Sequence, residues 1–161
     1  MVRTAWEVAA QTPDPELPML TLADLGILRD VEETEHGVIA TITPTYSGCP
    51  AIREITADLR HRLQNAGYDD VTVRTRLAPA WTTDWITSDG RRKLTEAGIA
   101  PPQPAPQGPI PLTLTLGSAA IPCPRCGSRD TVRTAAFSAT ACKSLHRCNA
   151  CREPFEHVKP L

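Results

Sequence analysis

Two cysteine pairs, CPRC at Cys123–Cys126 and CNAC at Cys148–Cys151, constrain this chain more than any other feature. The 21 residues between the pairs allow two tight knuckles to converge, so that four thiolates surround one ion tetrahedrally. Cys123, Cys126, Cys148 and Cys151 are therefore read as the ligands of one structural zinc. Residues 118–161 hold too few large apolar side chains to fold by burial alone. A zinc site in a small module contributes roughly 10–16 kcal/mol of apparent binding energy, as much as the whole stability of a typical domain, about 5–15 kcal/mol. Asp130–Phe137 and Ser144–His146 are the strands expected between the knuckles. Rubredoxin-type iron uses the same four thiolates, but the segment between the pairs lacks an aromatic-rich core, which ranks structural zinc above it. With four cysteines at matched spacing, His146 and His157 are not needed as ligands and are read as surface histidines. Cys142 is read as a small buried residue of the ribbon.

Cysteines arranged as CxxC in a chain with no signal-like apolar stretch, and with no apolar run long enough to span a bilayer, indicate metal or redox chemistry in a reducing compartment. The expectation is a cytoplasmic protein with no membrane partner. The net charge of −1 hides an asymmetry: residues 1–117 carry 10 basic and 15 acidic side chains, residues 118–161 carry 7 and 3. A basic tail invites a nucleic-acid reading. Zinc alters that arithmetic, because four thiolates and one divalent ion lower the tail to about +2. With an acidic body and no aromatic residues interleaved with the basic ones, nucleic acid is not expected as a partner.

Ahead of the ribbon, Ile99 to Gly117 contains six prolines and no charge, and is read as a semi-rigid linker over residues 99–117, with LTLTL at 112–116 alternating like a short strand. The implied organisation is an α+β domain over 1–98, that linker, and a β zinc ribbon over 118–161. Within the first domain, Ile27–Thr34 and Val38–Thr43 are strand-like and close enough for an antiparallel hairpin. Pro50 suits a first helical position, and Ile52, Ile55, Leu59, Leu63 and Ala66 then recur on one face until Gly67. Val71, Val73, Thr75 and Leu77 follow on one face of a third strand. The order is strand, strand, helix, strand, with a second helix expected from Ser88 to Ala97 and stopped by Gly98.

Two further features bear on chemistry. Cys49, in TPTYSGCPA, directly precedes the first helix, where unpaired N–H groups and the helix dipole favour a thiolate that could bind metal; an inert, half-buried cysteine is the alternative. No His or Asp adjoins it, which argues against a cysteine hydrolase. Asp14 and Glu16 sit in the proline-stiffened loop TPDPELP, where they could cap a helix or bind metal, or form a solvated loop, the reading that sequence alone favours.

Taken in order, DPELPMLTLADLGIL, TPTYSGCPA, LAPAWTTDWIT and the CPRCGS, ACKSLHRC and CREPF series resemble the PaaD family of bacterial phenylacetate degradation, also called PaaJ. Its N-terminal part resembles the SufT-like domain of metal–sulfur cluster assembly factors. In that group a DPE loop and a cysteine before a helix recur, here Asp14, Pro15, Glu16 and Cys49, while Trp81, Trp85 and the ribbon narrow the match to PaaD. The resemblance implies an accessory protein, not an enzyme, working with the components of phenylacetyl-CoA epoxidase, especially the iron–sulfur flavin reductase. It further implies a transient iron–sulfur cluster or metal contact at Cys49 and a role for the acidic loop. A permanent structural subunit of the epoxidase is the competing expectation, and a nucleic-acid-binding ribbon ranks third.

Overall fold

The computed structural model describes residues 3–103 and 120–160. The chain divides into two compact units, Met1–Gly90 and Arg91–Leu161. The LTLTL stretch and most of the proline-rich segment lie outside the described residues.

The first unit has the expected strand, strand, helix, strand order, preceded by a short helix. β1 (Leu28–Thr34) and β2 (Gly37–Ile42) form an antiparallel hairpin that closes at Thr34 and Gly37. α2 (Ile52–Asn65) then carries the chain across to β3 (Val71–Thr75), which pairs with β2 in parallel, giving the sheet order β1-β2-β3. Glycine is required where hairpin and third strand meet. Gly37 has φ +148°, and a Cβ there would lie 2.1 Å from the Asp70 carbonyl oxygen, to which the Val38 N–H donates at 2.8 Å. α2 presents Ile55, Leu59 and Leu63 to a core shared with Leu20, Leu22, Val38 and Ile42. Burying each such side chain contributes roughly 1.5–3 kcal/mol.

Three local expectations differ from the structure. α2 starts at Ile52 with Ala51 as its N-cap, and Pro50 lies in the preceding turn, whose Cys49 carbonyl accepts from the Ile52 N–H at 3.4 Å. Ala66, assigned to the buried face, is exposed, because it is the C-cap and the chain turns away at Gly67, φ +101°. β3 buries Val71 and half-buries Val73, but Thr75 is exposed and Leu77 lies beyond the strand. The pairing stops where β2 stops, at Ile42 opposite Thr75.

The first helix, α1 (Ala5–Ala10), has a signal that the periodicity of so short a stretch hides. Thr4 Oγ1 accepts from the Glu7 N–H while the Glu7 carboxylate accepts from the Thr4 N–H, a complete capping box. Near the end of the unit, the tryptophan segment packs against the turn before β1. Trp81 Nε1 donates to the Leu25 carbonyl at 2.9 Å, and the Arg29 guanidinium lies 3.6 Å from the Trp85 ring centroid. Gly26 in that turn has no space for a side chain, since a Cβ would sit 2.6 Å from Trp85. α3 (Ser88–Glu96) spans the division between the units, and Gly98 follows it at φ +78°.

The second unit is built on a four-stranded sheet. β5 (Thr131–Ala135) and β6 (Lys143–Cys148) are the expected ribbon strands. β7 (Pro154–Val158) pairs antiparallel with β6, and β4 (Ile99–Ala100) pairs parallel with β7. The stretch read as a linker thus begins inside a sheet: Ala100 is 1% exposed and clusters with Cys123, Cys148 and Phe155. Lys143 and Glu156 bridge β6 and β7 at 2.9 Å, with Ser138 also donating to Glu156. These bonds outweigh the upward pull of partial burial and hold the Glu156 carboxyl below the usual carboxylate range.

Candidate metal centre

The two knuckles are built alike. In the first, the Cys123 N–H donates to the Ser128 carbonyl and the Gly127 N–H to the Cys123 carbonyl, both at 2.9 Å; in the second, the Cys148 N–H donates to the Glu153 carbonyl at 3.0 Å. Each loop reverses through a left-handed residue four positions after its first cysteine, Gly127 at φ +73° and Arg152 at φ +69°. Only the first knuckle has a glycine at this position. The second adopts the same turn with an arginine, for which this conformation costs roughly 1–2 kcal/mol.

This construction brings the four predicted cysteines together. Their sulfur atoms all lie within 4.8 Å of one another, with Cys123 to Cys151 at 3.7 Å and Cys126 to Cys148 at 3.6 Å. A tetrahedral tetrathiolate with metal–sulfur bonds of about 2.3 Å has sulfur–sulfur edges of about 3.8 Å, so the donor set fits one such ion. Cys123 and Cys148 are buried, Cys151 is half-buried and Cys126 is exposed. The Cys151 N–H, 3.5 Å from Cys148 Sγ, acts with the neighbouring thiols to pull the Cys148 pKa down to about 7. Cys151 goes the other way, to about 12: the Glu153 N–H lowers it, but burial and three adjacent thiols outweigh that bond. A bound cation would favour the deprotonated form of all four. Among the described residues no other set of three or more His, Cys, Asp or Glu side chains brings its ligand atoms this close.

The two ribbon histidines are not at the surface. His146 is 7% exposed and His157 4%. Strand alternation explains this: Ser144, His146 and Cys148 share one face of β6, and once Cys148 points inward the other two follow. The same alternation turns Phe155 and His157 inward on β7. His146 stacks on Phe155 with ring centroids 5.5 Å apart. Ser144 Oγ lies 3.0 Å from His146 Nε2 and 3.5 Å from His157 Nδ1. Burial and, secondarily, His146 push His157 down to about 4, while burial and Arg133 lower His146. Sequence reasoning missed this trio, although its same-face spacing from Cys148 was there to be read. Cys142 is half-buried, its sulfur 3.2 Å from Thr140 Oγ1.

In the first unit, Asp14 and Glu16 have different environments. Asp14 is buried, and its Oδ1 accepts from the backbone N–H groups of Glu16 and Leu17, each at 2.9 Å, so the carboxylate folds the loop on itself. Glu16 is half-buried. The loop faces the first turns of α2 across a cleft of about 150 Å³ lined by Asp14, Pro15, Pro18, Glu54 and Asp58. Cys49 is half-buried and lies two residues ahead of the α2 N-cap, in the turn closed by its own N–H to the Tyr46 carbonyl at 3.2 Å; it is not part of the cleft lining.

Comparison with known proteins divides the chain in a similar way. Residues 6–74 match the family model described as iron-sulfur cluster assembly protein, and residues 108–159 match that described as PaaD zinc beta ribbon domain. A solved DUF59 domain of unknown function from Bacillus anthracis has the first unit's fold, with TM-score 0.52 and 24% identity over 56% of this chain and 87% of that one. No described helix is long and apolar enough to cross a membrane. A protein of Escherichia coli (strain K12), provisionally named as one of the subunits of 1,2-phenylacetyl-CoA epoxidase, is 42% identical over 159 residues, 98% of this chain and 92% of its own. With one relative matched almost end to end and both family models in the same order, the chain belongs to the PaaD family.

Proposed function

We propose that this protein is a non-catalytic assembly factor for phenylacetyl-CoA epoxidase that helps mature a metal centre, the iron–sulfur cluster of the flavin reductase component. The observation that carries this reading is the match of residues 6–74 to the iron-sulfur cluster assembly family, with Cys49 in the turn leading into α2. In this reading Cys49 makes a transient contact to the cluster or its metal. Asp14 shapes the acidic loop, and Glu16 is the motif carboxylate that assists. The ribbon holds one structural zinc through Cys123, Cys126, Cys148 and Cys151. Zinc is favoured over redox iron because the ribbon's inner cluster contains a single large aromatic residue, Phe155, and is otherwise made of small side chains and the thiols themselves. The ribbon then serves as the rigid element that meets the protein partner.

The test is co-expression of the epoxidase components with wild-type protein or Cys49→Ser. Serine is nearly isosteric but a poor ligand for soft metals, so it separates chemistry from packing. Loss of reductase clusters, recoverable by chemical reconstitution, is expected from the mutant. Full cluster loading and full turnover would eliminate the thiol mechanism.

A second reading, a permanent structural subunit of the epoxidase, is supported by the naming of the Escherichia coli relative as a subunit. Fixed-stoichiometry co-purification with the epoxidase, together with full cluster loading in its absence, would favour it.

A further inference from the structure

The two knuckles share a backbone plan but differ in how far solvent reaches their sulfurs. In the second, Cys148 is buried and Cys151 half-buried. In the first, Cys123 is buried, whereas Cys126 is exposed and is followed by an exposed glycine, Gly127. A Cβ at Gly127 would meet nothing within 4 Å, so open space adjoins the chain directly after Cys126; the matching position of the second knuckle carries Arg152. Of the four sulfurs in the cluster, that of Cys126 is the most accessible to a dissolved reagent.

Oxidation of a cysteine follows its thiolate character and its exposure. A divalent ion held by four cysteines keeps all of them deprotonated, so exposure is what distinguishes one from another. An oxidised Cys126 also has a second sulfur within reach. Cys148 Sγ lies 3.6 Å from Cys126 Sγ, across the two knuckles, and Cys148 is 0% exposed, out of contact with the oxidant. The other short sulfur contact, Cys123 to Cys151 at 3.7 Å, also runs between knuckles.

We propose that Cys126 is an oxidative modification site of the ribbon, where hydrogen peroxide forms a sulfenic acid that Cys148 resolves as a disulfide, with release of the metal. In the first step the Cys126 sulfur attacks one peroxide oxygen, the O–O bond breaks and hydroxide leaves. In the second the Cys148 thiolate attacks the Cys126 sulfur, the S–S bond forms, the S–O bond breaks and a second hydroxide leaves. Two thiolates give up two electrons, and one peroxide takes them to become two hydroxide ions. The metal is left with Cys123 and Cys151 alone and departs. Cys123 and Cys148 are also half of the ribbon's buried cluster, so the modification reaches its core. This inference rests on the reading that the four cysteines hold zinc.

Zinc in the full-length protein is measured first by elemental analysis. A protein without zinc would overturn that reading, and this proposal with it, whereas zinc that stays bound under peroxide overturns the proposal alone. The zinc-loaded protein is then treated with hydrogen peroxide in the presence of a chromogenic zinc indicator, and its cysteines are mapped by differential alkylation and mass spectrometry. Zinc release in step with loss of the Cys126 thiol is expected, together with a peptide pair joined through Cys126 and Cys148, both reversed by a dithiol reductant and added zinc. Cys126→His retains a ligand set of three cysteines and one histidine, and should keep its zinc under the same treatment. Cys142→Ser should release zinc like the wild type. Should Cys126→His fail to load, the wild-type mapping decides by itself. The proposal is overturned if Cys123, Cys148 or Cys151 is oxidised ahead of Cys126, if Cys126 pairs with Cys123 instead, or if loaded Cys126→His releases zinc as fast as the wild type.

Discussion

The two units of this protein are stabilised by different means. The first has a core of fully buried aliphatic side chains, Leu20, Leu22, Ile42, Ile55, Leu59 and Leu63 among them. The second clusters Ala100 and Phe155 around Cys123 and Cys148, with Ile121 and Cys151 at the edge, so half of its inner cluster consists of thiols from the four-cysteine set. In the first unit, stability is spread over many side chains, each making a modest contribution. In the second it is concentrated at one point, and losing that point has no local substitute.

The largest expected effect follows directly. Removing the metal with a strong chelator, or replacing Cys148 by serine, should unfold the ribbon, because apparent metal-binding energies of roughly 10–16 kcal/mol exceed what so small an apolar cluster supplies. Limited proteolysis checks this: residues 91–161 should be digested while the first unit persists. Simultaneous digestion of both would end the contrast.

Next in size, Leu59→Ala should destabilise the first unit by about 2–5 kcal/mol, the usual cost of truncating a fully buried leucine. Denaturant unfolding followed by a probe in the first unit measures it. Zinc content should not change; if zinc is lost in parallel, the two units are not separately stabilised.

A smaller effect concerns acid. His157 has its pKa lowered to about 4 by burial and by His146, whereas in the unfolded chain it takes a proton near 6.5. Between these values the unfolded state binds the extra proton, so stability contributed by neutral His157 is complete above about pH 6.5 and is lost as pH falls toward about 4. His157→Gln should give a shallower stability slope in that window. Parallel slopes for mutant and wild type, each with zinc bound, would remove His157 from the ribbon's acid response.

The smallest effect distinguishes the knuckles. Gly127→Ala should cost about 1 kcal/mol purely from backbone strain, because a Cβ there meets nothing within 4 Å. Arg152→Gly should stabilise the second knuckle, by less than about 1 kcal/mol because glycine also loosens the unfolded chain. Thermal melts of the zinc-bound protein would measure both, and a destabilised Arg152→Gly would mean that the arginine side chain contributes more than its backbone costs.

Where the sequence was legible, a single physical signal dominated. The 3.6-residue recurrence through Ile55, Leu59 and Leu63 located α2, and the cysteine spacing located the sulfur cluster, because neither depends on distant parts of the chain. Features set by tertiary context were harder to see. α1 is too short for periodicity and is held by its capping box. Arg152 takes a glycine-like conformation because the chain must turn there to bring Cys148 and Cys151 together, whatever residue is present. His146 and His157 read as surface residues by polarity, and only their register beside Cys148 and Phe155 places them inside. Cys49 and Asp14 were legible as positions, but the buried bonding of Asp14 within its own loop was not.

The parallel pairing of β2 with β3 has a consequence for how the first unit assembles. The hairpin can zip from Thr34 and Gly37 outward, joining residues that are already neighbours. Val38 meets Val71 only after the whole of α2 and its flanking turns have been brought around. Long-range closure of this kind slows folding, because chain entropy must be given up before the contacts that compensate it can form. The hairpin should therefore form early, with docking of β3, and the seating of the Asp70 carbonyl against Gly37, as the late, rate-limiting step.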